Sequence, residues 1–139
     1  MIYSHSRSQI VINGRTITGC DPSAGSYSLA PAADSGAFTG SFGTNIWVDS
    51  GSTIEVLTLT LLQNHPDNGF LQKLFDDQKL NPSMDNVIQH KYNDPINGDE
   101  IVATGGRIVN GGTYARGTTA NPNAWIIHFP KAIKKFKDQ

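Results

Sequence analysis

Ser52–Gln78, STIEVLTLTLLQNHPDNGFLQKLFDDQ, carries a strand that runs into a helix. From Thr53 to Leu62 nearly every residue is β-branched or aliphatic, and Leu57, Leu59 and Leu61 alternate with Thr58 and Thr60. That is the period-two pattern of a strand with one greasier face. At Pro66 the period changes. Phe70, Leu71, Leu74 and Phe75 recur at helical spacing, with Gln72, Lys73, Asp76 and Asp77 between them. The spacing predicts a helix over about residues 66–78 whose packing core is Phe70, Leu71, Leu74 and Phe75. Pro66 suits the first helical position, where a missing N–H costs nothing, and Asp67 favours the positive end of the dipole. Asn81-Pro82 marks the stop. Asp76 and Asp77 oppose the dipole there, so the last turn either frays or is held by tertiary contacts. Burial of each large apolar side chain is worth about 1.5 to 3 kcal/mol, enough to dock a helix that is marginal alone. One helix covering a sheet is the expected result.

The rest of the chain reads as short strands between turns. Gln9–Ile12 and Thr16–Thr18 flank Asn13-Gly14, a strong hairpin signal. Cys20 to Thr44 is dominated by Gly, Ala, Ser and Pro, and reads as a long loop at about 20–44 whose few large apolar residues include Tyr27, Leu29, Phe38 and Phe42. A loop that long is functional or ordered by a partner, or it is simply a surface loop; Phe38 and Phe42 also fit a strand segment. Asn45–Val48 with Trp47 is strand-like, as are Asn86–Tyr92, Glu100–Thr104 and Arg107–Val109. Gly105-Gly106, between the last two, suits a bulge or a close backbone approach. A second long loop, an extended hairpin, is expected at about 105–123. Ala124–Phe129, AWIIHF, reads as the last strand, before a short basic tail. Seven or eight strands with one helix predict a mainly-β single domain over residues 1–139, an antiparallel sandwich or barrel.

Composition bounds the function. Hydrophobic residues make up 37% and charged ones 17%, with 11 Lys plus Arg against 12 Asp plus Glu. No global basic field exists of the kind that drives sequence-independent nucleic-acid binding. Cys20 is alone, which rules out an intrachain disulfide, zinc ribbons and CxxC redox sites. Folding in a reducing cytoplasm follows. The amino terminus lacks an apolar run of signal-peptide length, and no segment nears the roughly 18 apolar residues of a spanning helix. A soluble product without a membrane segment is therefore expected.

No catalytic constellation emerges. His5, His65, His90 and His128 lie on separate segments without HxxxH or HExxH spacing, which argues against a metal site. His65, just before Pro66, reads as a strand terminator or helix cap. Asp76/Asp77 and Asp99/Glu100 are adjacent pairs whose members point in different directions. The glycine pairs match neither GxxxxGK[ST] nor GxGxxG. The lysines of the tail, Lys131, Lys134, Lys135 and Lys137, read as a solvated end or as a docking element for an acidic patch. No enzyme activity and no cofactor are expected.

Ser50-Gly51, the run TLTLLQ at Thr58–Gln63, Pro66 with Asn68, and a short helix bearing Leu71 and Leu74 resemble the tail tube proteins of contractile-tailed bacteriophages. The order of elements is similar too: an early strand pair around Ile10–Gly19, an Ala/Gly-rich region at Phe38–Gly43, and a closing AWIIHF strand. The resemblance implies hexameric rings that stack into the inner tail tube, through which viral DNA passes during ejection. It implies a virion location after synthesis in the host cytoplasm. The implied partners are further copies of the chain, a tail sheath protein, a tape-measure protein, and baseplate and terminator proteins. Related tubes occur in type VI secretion systems and contractile bacteriocins. Under this reading Tyr27, Leu29, Phe38, Phe42, Arg107, Tyr114 and Arg116 are the candidate oligomer interface. Charges are fewer in Tyr27–Gly43 than the family leads one to expect, and His65 stands where a small capping Ser is usual.

Two other classes fit the same residues. A small β-sandwich binding module, for carbohydrate or protein, would use Trp47, Trp125, Tyr27 or Tyr114 as exposed stacking platforms, unless both tryptophans are core. A Cys/His enzyme would need Cys20 beside a distant histidine.

Overall fold

The organising strand is β6, Glu55–Leu61. Leu57, Leu59 and Leu61 are fully buried and the threonines between them half-exposed, as the alternation requires. The computed structural model describes residues 8–20, 26–32, 36–39, 45–48, 53–63, 65–80, 88–111 and 122–136, with 36–39 and 45–48 described through backbone pairing alone. The other strands are β1 (Gln9–Ile12), β2 (Arg15–Ile17), β3 (Tyr27–Pro31), β4 (Gly36–Thr39), β5 (Asn45–Val48), β7 (Ile88–Asn93), β8 (Glu100–Asn110), β9 (Asn123–Phe129) and β10 (Lys131–Lys135). The helix α1 spans Pro66–Leu80.

Eight strands make one antiparallel sheet in the order β2-β1-β7-β8-β9-β6-β3, with β10 also on β8; it is mainly-β, sandwich-like and not closed into a barrel. The fold turns on a corner in β8. Thr104 pairs with Lys131 and Arg107 with His128, so one register continues from β10 into β9 along β8. Gly105 therefore stands opposite Pro130 and Gly106 opposite Phe129. Gly105 has φ +75°, a conformation that side-chain-bearing residues resist, and a Cβ on Gly106 would lie 2.4 Å from the Phe129 ring. Both glycines are required where the two-stranded ribbon bends. The Pro130 carbonyl accepts from the Thr53 hydroxyl at 2.8 Å, which ties the corner to the chain entering β6.

Beyond the corner the sheet folds back on itself. The ring of Tyr27 on β3 stacks on Tyr92 of β7 at 4.7 Å, and His90 on β7 lies 6.0 Å from Phe129 on β9. The two halves, β2-β1-β7-β8-β10 and β8-β9-β6-β3, thus enclose one core. It includes Ile10, Ile12, Tyr92 and Ala103 from the first half and Leu57, Leu59, Trp125 and Ile127 from the second. Asn13 and Gly14, both at positive φ, make the turn between β1 and β2.

The helix plugs the side of this sandwich. Leu71 is fully buried, while Phe70, Leu74 and Phe75 pack against the core and stay partly exposed. It continues two residues past Gln78. Lys79 folds over the Phe75 ring at 4.1 Å, and the Gln78 side chain takes the backbone N–H and carbonyl of Ile108, each at 2.9 Å. An amide side chain thus continues the ladder on β8 where none of the described strands does. These contacts hold the turn that Asp76 and Asp77 would weaken.

Three expectations change. The loop expected at about 20–44 contains β3, paired along β6 from Tyr27↔Leu59 to Pro31↔Glu55, and β4, paired with Asn45–Val48, the strand β5 that was expected. The loop expected from 105 begins no earlier than Gly111, because Gly105–Asn110 belong to β8. The tail is not simply a solvated end: Lys131–Lys135 forms β10.

Candidate functional site

Asp67 is buried in the first turn of α1 and multiply bonded. Its Oδ2 accepts the backbone N–H groups of Thr18 at 2.9 Å and Gly19 at 3.0 Å, and its Oδ1 accepts from Arg15 Nε at 3.0 Å. Arg15 also lies over the Phe70 ring. A buried carboxylate is tolerated because it is paired and multiply hydrogen-bonded. It fastens the helix to the chain leaving β2, which crosses to β6 through a Leu62 N–H bond to the Gly19 carbonyl. His65 caps α1: its Nδ1 accepts the Asp67 N–H at 3.2 Å. The same nitrogen is 3.2 Å from Oδ2, but an accepting ring nitrogen cannot also donate to the carboxylate, so in the neutral ring the cap is the bond made.

A second buried polar cluster joins the halves of the sandwich. Tyr27 Oη lies 2.6 Å from His90 Nε2, and His90 Nδ1 lies 3.1 Å from the Val11 carbonyl. A carbonyl only accepts, so Nδ1 carries the proton and Tyr27 donates to Nε2. Burial pushes the imidazole down to about 4, partly offset by the bond to Val11. Burial, then the neighbouring Tyr92 and Cys20, pushes the Tyr27 phenol up. The Cys20 thiol is raised too, first by burial and then by Asp67, which opposes a reactive thiolate. Asp94, also buried, accepts from the Ile96 and Asn97 N–H groups and fixes the β7–β8 turn.

These clusters bind the fold together and face inward. Among the described residues no group of three His, Cys, Asp or Glu is placed to hold a metal ion. No described helix is long and apolar enough to cross a membrane.

The candidate interface residues separate. Tyr27 and Leu29 pack against the core rather than projecting from a loop. Arg107 is half-buried on β8, beside the corner. Phe38 lies in β4, where only the backbone is described, and Phe42, Tyr114 and Arg116 lie outside the described residues. The stacking platforms of a binding module fare worse. Trp125 is 2% exposed, with its indole N–H on Asn68 Oδ1 at 3.0 Å, and Tyr27 is stacked inside the sandwich. The Trp47 side chain and Tyr114 are outside the described set.

Among the described strands, β2, β3 and β10 each have one neighbour in the sheet. The strand β10, KAIKK, carries edge lysines of the kind that discourage adventitious pairing, whereas β3, YSLAP, is uncharged. The β4–β5 hairpin pairs with itself alone among the described strands, and its sequences GAFT and NIWV are uncharged. Asn45–Val48 is a strand, as expected around Trp47, and Phe38 lies in a strand segment, as one of the two readings of that stretch allowed; β3 is the strand hidden in the expected loop. No known protein family and no curated protein matches the chain.

Proposed function

We propose that the chain is the repeating subunit of a phage-type tail tube, assembling into hexameric rings that stack around a channel for DNA. The observation that carries this reading is the β4–β5 hairpin of uncharged strands, which pairs with itself alone among the described strands. An isolated two-stranded hairpin is marginal in water, and β3, although blunted at its end by Pro31, still turns the Tyr27 and Leu29 backbone groups to its open side, where another chain can pair. Further copies of the same chain satisfy both. The similarity of residues 50–75 to tail tube proteins supports the same conclusion. Net charge of −1 suits a conduit that lets DNA pass without holding it. In this role the subunit has no catalytic duty, and its partners are its own copies, a sheath, a tape-measure protein and the rings at either end of the tail.

Negative-stain electron microscopy of the purified chain at rising concentration tests the proposal. Rings or tubes are the expected result. A chain that stays monomeric throughout overturns it.

A further inference from the structure

The outer face of the first half-sheet carries a row of three apolar residues and one lysine, with further lysines beside it. Val11 on β1, Lys91 on β7, Val102 on β8 and Ile133 on β10 are successive cross-strand neighbours. The residues alternating with them, Ile12, His90 and Ala103, are buried, so the row faces away from the core. Val102 is 41% exposed and Ile133 53%. A hollow of about 200 Å³ opens on the β1 side of Val102, and another of about 180 Å³ lies between Val102 and Ile133. Lys131 and Lys135 are exposed on the same side of β10 as Ile133. Glu100 stands across the ladder from Lys135, so with Lys91 the face remains net positive.

The carboxyl-terminal half of α1 is its complement. Leu80 is 85% exposed, and Asp76 and Asp77 are exposed. They precede Leu80 by four and three positions and so share one helical face with it. Lys79 is turned onto Phe75. A leucine knob flanked by two carboxylates thus occurs on one surface, and an apolar hollow flanked by lysines on another.

We propose that Leu80 of one copy seats between Val102 and Ile133 of a second copy, with Asp76 and Asp77 meeting Lys131 and Lys135. This deepens the self-assembly reading by naming a contact between copies. The two surfaces differ and each copy carries both, so the contact runs head to tail and closes into a ring or continues as a filament. Opposite charges set the direction of approach and weaken the contact in salt.

Cross-linking of the full chain tests it. Leu80→Cys and Ile133→Cys chains, each also carrying Cys20→Ser, are mixed under mild oxidation. The mixed disulfide dimer is expected to exceed its statistical share several-fold over the two like dimers. That excess should be lost when the Leu80→Cys chain carries Asp76→Lys and Asp77→Lys. It should return when its partner carries Lys131→Glu and Lys135→Glu. A statistical mixture, or an excess indifferent to the charge changes, overturns the contact. The readout needs no ring: tubes from a wild-type chain whose variants cross-link at random sink this contact alone, while specific cross-linking by a chain that never forms rings sinks the tube alone.

Discussion

Acid should weaken this fold through His90 before it acts through the core as a whole. The perturbation is a fall in pH from about 7 to about 4. In the native sandwich the imidazole is held neutral, with its pKa lowered by burial from 6.5 to about 4. In the unfolded chain it takes up a proton below its ordinary value. The unfolded state therefore binds more protons between about 6.5 and 4, and the stability that the neutral ring confers is intact above the upper value and lost as pH falls through the window. At about 1.4 kcal/mol per pH unit the full loss approaches 3 kcal/mol, a large part of the stability of a domain this size. The Tyr27–His90 bond need not break, because a phenol oxygen can accept from a protonated ring. The cost is charge in a site lined by Tyr27, Tyr92 and Phe129. Tyr27 and Cys20, both pushed up by burial, stay neutral throughout. Urea unfolding at several pH values, on dilute wild-type chain and His90→Gln, measures the term. The variant should be less stable near pH 7 and lose about 3 kcal/mol less than the wild type on acidification. Parallel losses in the two proteins would refute the reasoning.

Two further substitutions probe the joints of the fold. Asp67→Ala leaves the Thr18 and Gly19 N–H groups without acceptors, while Arg15, 43% exposed, turns to solvent; urea midpoints should show a loss of about 2 to 4 kcal/mol. Gly106→Ala sets a methyl group 2.4 Å from the Phe129 ring in a corner closed by two strands, and should cost about 1 to 3 kcal/mol by thermal unfolding.

The legible parts of the chain are those whose local chemistry and tertiary surroundings agree. Leu57, Leu59 and Leu61 alternate because one face of β6 meets the core, and Phe70, Leu71, Leu74 and Phe75 follow the helix period because one side of α1 does. Asn13-Gly14 and Gly105-Gly106 are visible because a turn and a corner each demand a positive φ. The roles of Asp67 and His90 were not visible. Asp67 is bound by residues about 50 positions away and His90 by residues more than 60 away, and no spacing rule reaches that far.

Two of the changed expectations share a place in the fold: β3 and β10 each have one neighbour in the sheet among the described strands. An edge strand is held from one side, so its sequence need not show the alternation of a strand paired on both. YSLAP has only two inward residues, Tyr27 and Leu29, among small ones and a proline, and KAIKK places Lys134 where a central strand would be apolar. The two edges nevertheless differ in kind. Lysine on β10 repels a further strand. On β3 the bonds from Thr60 N–H to the Ser26 carbonyl and from Ala32 N–H to the Ile54 carbonyl turn the even-numbered residues toward β6, so Pro31 faces the open side, where its missing N–H blunts the edge without a charge.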